Sequence, residues 1–238
     1  MGRWEGGRSS GSVYPDRREA GRVLAEAVRA AVGAPPGAAA GCAVLGLPRG
    51  GVPVAAPVAE ALGGDLDVLV VRKLGVPEQP ELAMGAVAVV GSALETVRNE
   101  RVLAHLGIAP EVFEAVRDRE VAELGRREAA YRAGRAAVPV RGRTVVLVDD
   151  GLATGATVRA AVAAVRRQGP SRVVVAVPVG SARTCEALAE VADEVVCPWT
   201  PEPFAAVGQA YRDFAAVPDE RVRELLSGAS GSRRRAWP

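Results

Sequence analysis

Residues 144–161 read TVVLVDDGLATGATVRAA. Thr144 to Val148 is a short apolar run rich in β-branched side chains, which predicts a buried strand. Asp149 and Asp150 stand at its carboxyl end, a Gly- and Thr-rich turn follows, and a helical pattern begins near Ala156. In open α/β sheets, ligands bind in the crevice beyond such strand ends. The backbone amides of Ala153, Thr154, Gly155, Ala156 and Thr157 fall at the helix N-terminus, where unpaired N–H groups and the helix dipole favour a phosphate. Thr154 and Thr157 add hydroxyl donors, and Gly155 allows close approach of the backbone. The two carboxylates would repel that phosphate, so they are assigned to ligand hydroxyls or, through water, to a divalent cation a short distance away. A phosphate with a diol a few ångströms off describes a ribose 5-phosphate. The segment lacks a Lys after its second Gly, so it is not a triphosphate P-loop, and GxGxxG is absent from the chain. The competing structural reading, that the acids only cap the turn, leaves the TGAT sequence after them without a reason.

Outward from this segment the pattern alternates. CAVLGL (42–47) is a buried strand, PRGG (48–51) a turn, VPVAAPVAEAL (52–62) a helix, and DLDVLVV (65–71) a second strand. AMGAVAVV (83–90) and SALETV (92–97) read as a hairpin around Gly91 and Ser92, followed by helix from about Arg98 to Arg132 with a break near Gly107 and Pro110. RVVVAVPV (172–179) is another strand, and one more helix and strand run to Cys197. Near the start, Asp16 and Glu19 have capping-box spacing ahead of a helix that reaches about Val32, where APPGAAAG breaks it. Continuous apolar strands between helices predict an α/β fold with an open, mostly parallel sheet flanked by helices. Residues 1–13 and 227–238 are Gly-, Ser- and Arg-rich and read as flexible tails around a domain of residues 14–226.

Thirty Lys and Arg against 28 Asp and Glu leave a net charge of +2, which excludes a broad nucleic-acid or membrane-surface field, so an anion site has to be local. Arg233 to Arg235 carry no interleaved aromatics and read as a solvated tail. Three cysteines with no CxxC pair point to a reducing, cytoplasmic setting, and no apolar stretch reaches the length of a membrane span. The single histidine, His105, supplies no Ser/His/Asp triad or histidine-rich zinc site. Lys73 is the only lysine among 30 basic residues, which marks it either as drift toward arginine or as a position that needs a compact ammonium.

VVLVDDGLATGAT resembles the signature of the type I phosphoribosyltransferases, an apolar run, two acids and a TGxT phosphate loop. Ala153 makes the loop similar to that of adenine phosphoribosyltransferases, whereas hypoxanthine and guanine enzymes have Asp there. The motifs LPRGGVPVA, VRKLGVP and PEPFAAVG resemble a group of bacterial phosphoribosyltransferases, and the resemblance covers about Asp16 to Asp219. It implies a pyrophosphate loop at Arg49, Gly50 and Gly51, with a cis peptide at Pro48–Arg49 or Arg49–Gly50. It also implies a mobile hairpin loop opened by Arg72 and Lys73 at the end of the second strand, with Glu81 and Met84 lining the closed site. A small C-terminal hood would follow in 200–214, where Phe204 stacks on the acceptor and Val207 lies beside it. The implied activity is transfer of 5-phosphoribosyl from phosphoribosyl pyrophosphate to a nitrogenous acceptor such as a purine or pyrimidine base, with Mg²⁺. Catalytic roles fall to Asp149, Asp150, Lys73 and Arg49, with Asp149 and Asp150 on the metal through water. Glu81 or Glu202 would meet an acceptor proton, and a homodimer would brace the loop. The rival classes are a regulator that senses phosphoribosyl pyrophosphate without turnover, and a phosphotransfer or hydrolytic enzyme using the Asp pair as a metal site.

Overall fold

Ala43 to Gly46 and Val145 to Val148 carry no polar side chain, so they are stable only where both faces are covered. The computed structural model describes residues 3–4, 13–33 and 41–231 and places these strands at the centre of a six-stranded parallel sheet. The strands are β1 (Arg3–Trp4), β2 (Ala43–Gly46), β3 (Asp65–Val68), β7 (Thr144–Val148), β8 (Arg172–Ala176) and β9 (Glu194–Val196), in the order β1-β9-β8-β7-β2-β3. Gly46 pairs with Val148, and Val148 with Ala176, so the three central strands end side by side. From β2 the chain goes to β3 on one side, and later strands build outward from β7 on the other. The switch point lies between β2 and β7, where an open α/β sheet leaves a crevice at its carboxyl edge.

Alternation within the strands sorts two apolar layers. Val44, Val146, Val148 and Val174 face α1 (Arg17–Val32), α2 (Gly51–Leu62) and α7 (Asp219–Gly231). Leu45, Val145, Leu147 and Val175 face α5 (Ala156–Arg167) and α6 (Ala182–Ala189). The α1 helix starts as its spacing predicts, with Asp16 accepting from the Glu19 N–H at 2.9 Å, and it ends where Gly33 turns left-handed at φ 64°.

A second, antiparallel sheet contains β4 (Val71–Val76), β5 (Gln79–Val90) and β6 (Ala93–Arg98), and α3 (Glu100–Leu106) and α4 (Pro110–Arg132) follow it. Here the structure departs from the expectation. DLDVLVV is not one strand: hydrogen bonding to β2 ends at Leu69, whose N–H reaches the Gly46 carbonyl at 3.1 Å. Arg72 and Lys73 therefore lie inside β4, opposite Val87 and Ala86, and not at the end of β3. Val68 to Val71 is continuously apolar because Leu69 and Val70 are buried where the chain passes from one sheet to the other, and apolarity reports burial rather than hydrogen-bond partner. Met84 is fully buried in the core, so it lines no site, whereas Glu81 is exposed near the outer end of β5.

The expected tails are shorter than their composition implies. Arg3–Trp4 pairs with β9, and α7 continues through Ser227 to Gly231 because Val222 and Leu226 anchor it in the core and Ala229 packs on that cluster. Val13 is described and exposed, while residues 1–2, 5–12 and 232–238, including Arg233 to Arg235, and most of the APPGAAAG segment lie outside the described residues. No helix among the described residues is long and apolar enough to cross a membrane.

A buried ion pair locks the antiparallel layer to the main sheet. Arg132, at the end of α4, donates to Asp67 in β3 at 2.6 Å, while Asp67 also accepts from the N–H groups of Val68 and Val138, both at 2.8 Å. Removing one partner strands the other charge, so Asp67→Ala is expected to lower unfolding free energy by about 3–5 kcal/mol, measured by chemical denaturation.

Candidate active site

Three turns meet at the carboxyl edge of the central strands. The first is Pro48–Gly51, after β2, with the Pro48–Arg49 peptide cis. The second is Asp149–Gly155, after β7, and the third is Val177–Ser181, after β8. The first two are in intimate contact. A β-carbon on Gly50 would overlap Oδ2 of Asp150, and one on Gly51 would stand 2.5 Å from the Val148 carbonyl oxygen. Leu47 donates to the same carbonyl at 2.8 Å. The Gly51 N–H is committed within its own turn, to the Leu47 carbonyl at 2.9 Å, so it is not among the donors left for an anion. The Arg49 side chain is exposed and lies 3.6 Å from Asp219 at the start of α7.

The phosphate-loop segment has the form its sequence predicts. Gly155 is left-handed at φ 68° and precedes α5, and no side chain caps that helix. A β-carbon there would also come within 2.7 Å of Thr184, so Gly is required by conformation and by space together. Thr184 donates its hydroxyl to the Ala153 carbonyl at 2.7 Å, which ties the loop to α6. Ala153, Thr154 and Ala156 are exposed and Thr157 is half-buried. An uncapped first turn beside two threonines is an anion site in waiting. A cavity of about 290 Å³ flanks the loop on its α6 side, lined in part by Arg159 and Arg183.

The Asp pair is electrostatically loaded. Burial, with the adjacent Asp150 charge second, pushes the Asp149 carboxyl up from 3.8 to about 8. Burial also raises Asp150, opposed by a hydrogen bond and charge from Arg17. Arg17 Nε donates to Asp150 Oδ2 at 2.9 Å, with the two side chains 12% and 17% exposed. Its Nη1 donates to the Ala215 carbonyl at 2.9 Å, and its guanidinium carbon sits 4.0 Å from the centre of the Phe214 ring. The Tyr211 hydroxyl donates to the Asp150 carbonyl at 2.6 Å. Arg17 and Tyr211 are site residues that the sequence reading missed. One signal was present: Arg17 opens a helix, where the macrodipole disfavours a cation and so implies a specific acidic partner.

Residues 200–217 pass over this edge. Val207 lies against Gly151, where a β-carbon would come within 2.5 Å of its methyl group, so Val207 is next to the Asp pair. Phe204 is half-buried against an aromatic cluster that contains Tyr14 and Tyr211, and Trp199 meets Tyr14 edge-on at 5.9 Å. Glu202 is exposed, before a cis bond to Pro203. The β4 cations are separate from this cluster of contacts. Arg72 is committed to Glu120 of α4 through bonds of 2.9 and 2.5 Å, while the Lys73 side chain is exposed with no hydrogen bond or ion pair among the described residues.

The phosphoribosyl transferase domain model matches residues 18–211, which spans both turns, the phosphate loop and the start of the hood. The chain belongs to the phosphoribosyl transferase domain family. It is 46% identical over 217 residues to a Mycobacterium tuberculosis protein named "Putative phosphoribosyl transferase Rv0571c", covering 91% of this chain and 47% of that one. The chain thus spans about half the length of the curated relatives it matches. It is also similar to the crystal structure of TT1426 from Thermus thermophilus, with 46% identity and a TM-score of 0.79 over 90% of this chain and 97% of that one.

Two outcomes follow from the packing of this family member's site. Gly50→Ala is expected to cost about 1–3 kcal/mol in denaturant unfolding, because either the turn or Asp150 has to give way. Asp149→Asn is expected to raise the melting temperature by about 2–4 °C for each kcal/mol recovered. An acid whose folded pKa is raised destabilises the fold increasingly between its unfolded value of 3.8 and about 8, so the gain from Asn should vanish near pH 4 and level off above pH 8 in a pH series of melts.

Proposed function

We propose that the protein transfers 5-phosphoribosyl from phosphoribosyl pyrophosphate to a nitrogenous acceptor, releasing pyrophosphate. The observation that carries this reading is the meeting, at one switch point, of an uncapped helix N-terminus with a half-buried Asp pair and the Arg49–Gly50 turn. The first suits a terminal phosphate, the second ribose hydroxyls, and the third a second anion. Membership of the phosphoribosyl transferase domain family and the relative named as a putative phosphoribosyl transferase support it.

In the reaction, the bond from ribose C1 to the pyrophosphate oxygen breaks and its electron pair leaves with pyrophosphate. The acceptor nitrogen supplies the pair for the new C1–N bond and loses its proton to solvent. Positive charge grows on the ring as the bond breaks, and the Asp149 and Asp150 carboxylates favour that charge while orienting the hydroxyls. Oδ2 of Asp150 faces Gly50 and Arg17, so ligand contact falls to Oδ1. Amides at Thr154–Thr157 anchor the 5-phosphate and thereby position C1. Arg49 serves the leaving group from the turn after β2, joined by Lys73 when the hairpin that carries it closes on the site, while Arg72 is paired with Glu120. Val207 and Phe204 frame the acceptor.

The donor set suits Mg²⁺. Two adjacent carboxyl groups that desolvation biases toward protonation, Asp149 also through the neighbouring Asp150 charge, gain from a hard cation or its waters. Bound there, Mg²⁺ would neutralise the charge on the departing pyrophosphate.

Calorimetry with phosphoribosyl pyrophosphate and Mg²⁺, followed by a pyrophosphate-release screen over purines, pyrimidines and small amines, tests the proposal. Binding with release against at least one acceptor is expected. Binding without release from any acceptor would replace the transferase by a sensor, and absence of binding would defeat both. With an active acceptor in hand, Asp149→Asn and Asp150→Asn should each lower kcat/KM by about 10²-fold. Lys73→Ala should lower kcat by about tenfold, with Lys73→Arg restoring only part.

A further inference from the structure

Residues 200–217 contain little regular structure: one short 3-10 turn at Val207–Ala210 and an isolated bridge between Tyr14 and Tyr211. Ala205, Ala206, Gln209 and the run from Arg212 to Ala216 are exposed. The segment's middle is tied by backbone hydrogen bonds to Tyr14 and Pro15; beyond these it is ordered by a few side-chain contacts, and Arg17 provides two of them while also binding Asp150. Arg17 binds the Ala215 carbonyl, covers the Phe214 ring and holds Asp150, while Phe214 in turn stacks on Tyr211 with ring centres 5.1 Å apart. Tyr211 closes the circuit by donating to the Asp150 backbone carbonyl.

We propose that Arg17 is a positioning residue that latches the hood to the ribose carboxylate, so that occupation of the ribose site tightens the cover over the acceptor. For the identity of the ligands this rests on the phosphoribosyl-transfer reading; the latch itself does not. The physical basis is the division of labour on one carboxylate. Asp150 offers Oδ2 to Arg17 and Oδ1 to a ligand, so a ligand hydroxyl on Oδ1 holds the carboxylate in the orientation that Arg17 requires. Holding it lowers the cost of ordering Phe214 and Ala215, and by linkage an acceptor beneath the hood raises affinity for the ribose ligand by the same factor. Arginine suits the task because its planar fork donates in two directions while its face covers a ring, which an ammonium cannot do.

Hydrogen exchange by mass spectrometry on the full chain, free of ligand, reads the latch directly. In Arg17→Met, peptides from 200–216 are expected to exchange faster by about 5- to 150-fold, the usual range of coupling between sites, while peptides from β7, β8 and α5 stay as in the wild type. Arg17→Lys, which keeps the charge on Asp150 but not the planar cover, should fall between the two. In a cycle with Asp150→Asn, the double variant should exchange no faster in the hood than Arg17→Met alone. Unchanged hood exchange in Arg17→Met, or simple multiplication of the two single effects, overturns the latch. Should Arg17→Met lose protection throughout, Phe214→Leu probes the same contact from the exposed side, with faster hood exchange in support and unchanged exchange against. Adding phosphoribosyl pyrophosphate with Mg²⁺ then tests the coupling. Slower hood exchange in the wild type and no change in Arg17→Met is expected. Binding that leaves the wild-type hood unchanged or faster overturns the coupling while sparing the transferase reading, and no binding defeats that reading while the ligand-free latch stands.

Discussion

The close approach of Gly50 to the Asp150 carboxylate governs the arrangement of the whole edge. There is no room for a side chain between the turn after β2 and the acids after β7, so the two strand ends form one wall instead of two loops. That wall is possible because Gly46 and Val148 are register partners in adjacent parallel strands, which brings their following residues to the same height. Once the turns touch, the Asp150 carboxylate is enclosed on the Gly50 side and has to find a cationic partner on another. Arg17 supplies it from the first turn of α1, and the hood is drawn in behind Arg17.

The cost of this arrangement is electrostatic. Two neighbouring carboxyl groups held away from water resist ionising together, and only one of them has a hydrogen-bonded cation. The free protein therefore carries a pair that is destabilised when ionised and relieved by a proton. Sites that bind charge-rich ligands are commonly less stable empty than full, and stability given up at such a point is regained through packing elsewhere. Here that packing includes the Asp67–Arg132 lock and two apolar layers on either side of a continuous valine-rich sheet.

Much of the site was legible because its signals are local. A strand, two acids, TGAT and a helix are contiguous, and each has a consequence that needs no distant residue: the apolar run is buried, Gly155 turns left-handed, and the uncapped amides follow. PRGG was legible for the same reason, although its glycines serve close packing against the acids as much as any anion, and the Gly51 N–H is spent inside the turn. Arg17 and Tyr211 were hidden because their roles depend on contacts across 133 and 61 residues of chain. The position of Arg72 and Lys73 was misread because a buried apolar run looks the same whether it stays in one sheet or crosses to another.

By itself, the amino-acid order determined the alternation of buried strands and helices, the parallel sheet that such runs require, and the left-handed turn and uncapped helix start after Val148. These depend on burial and backbone conformation over a few consecutive residues. Only the tertiary structure decided which strand ends are neighbours, that Asp150 is shared between Gly50, Arg17 and the ligand side, and that a C-terminal hood is fastened through the N-terminal helix. Those are facts of register and long-range contact, and short-range periodicity carries no information about which distant residue completes a charge or covers a ring.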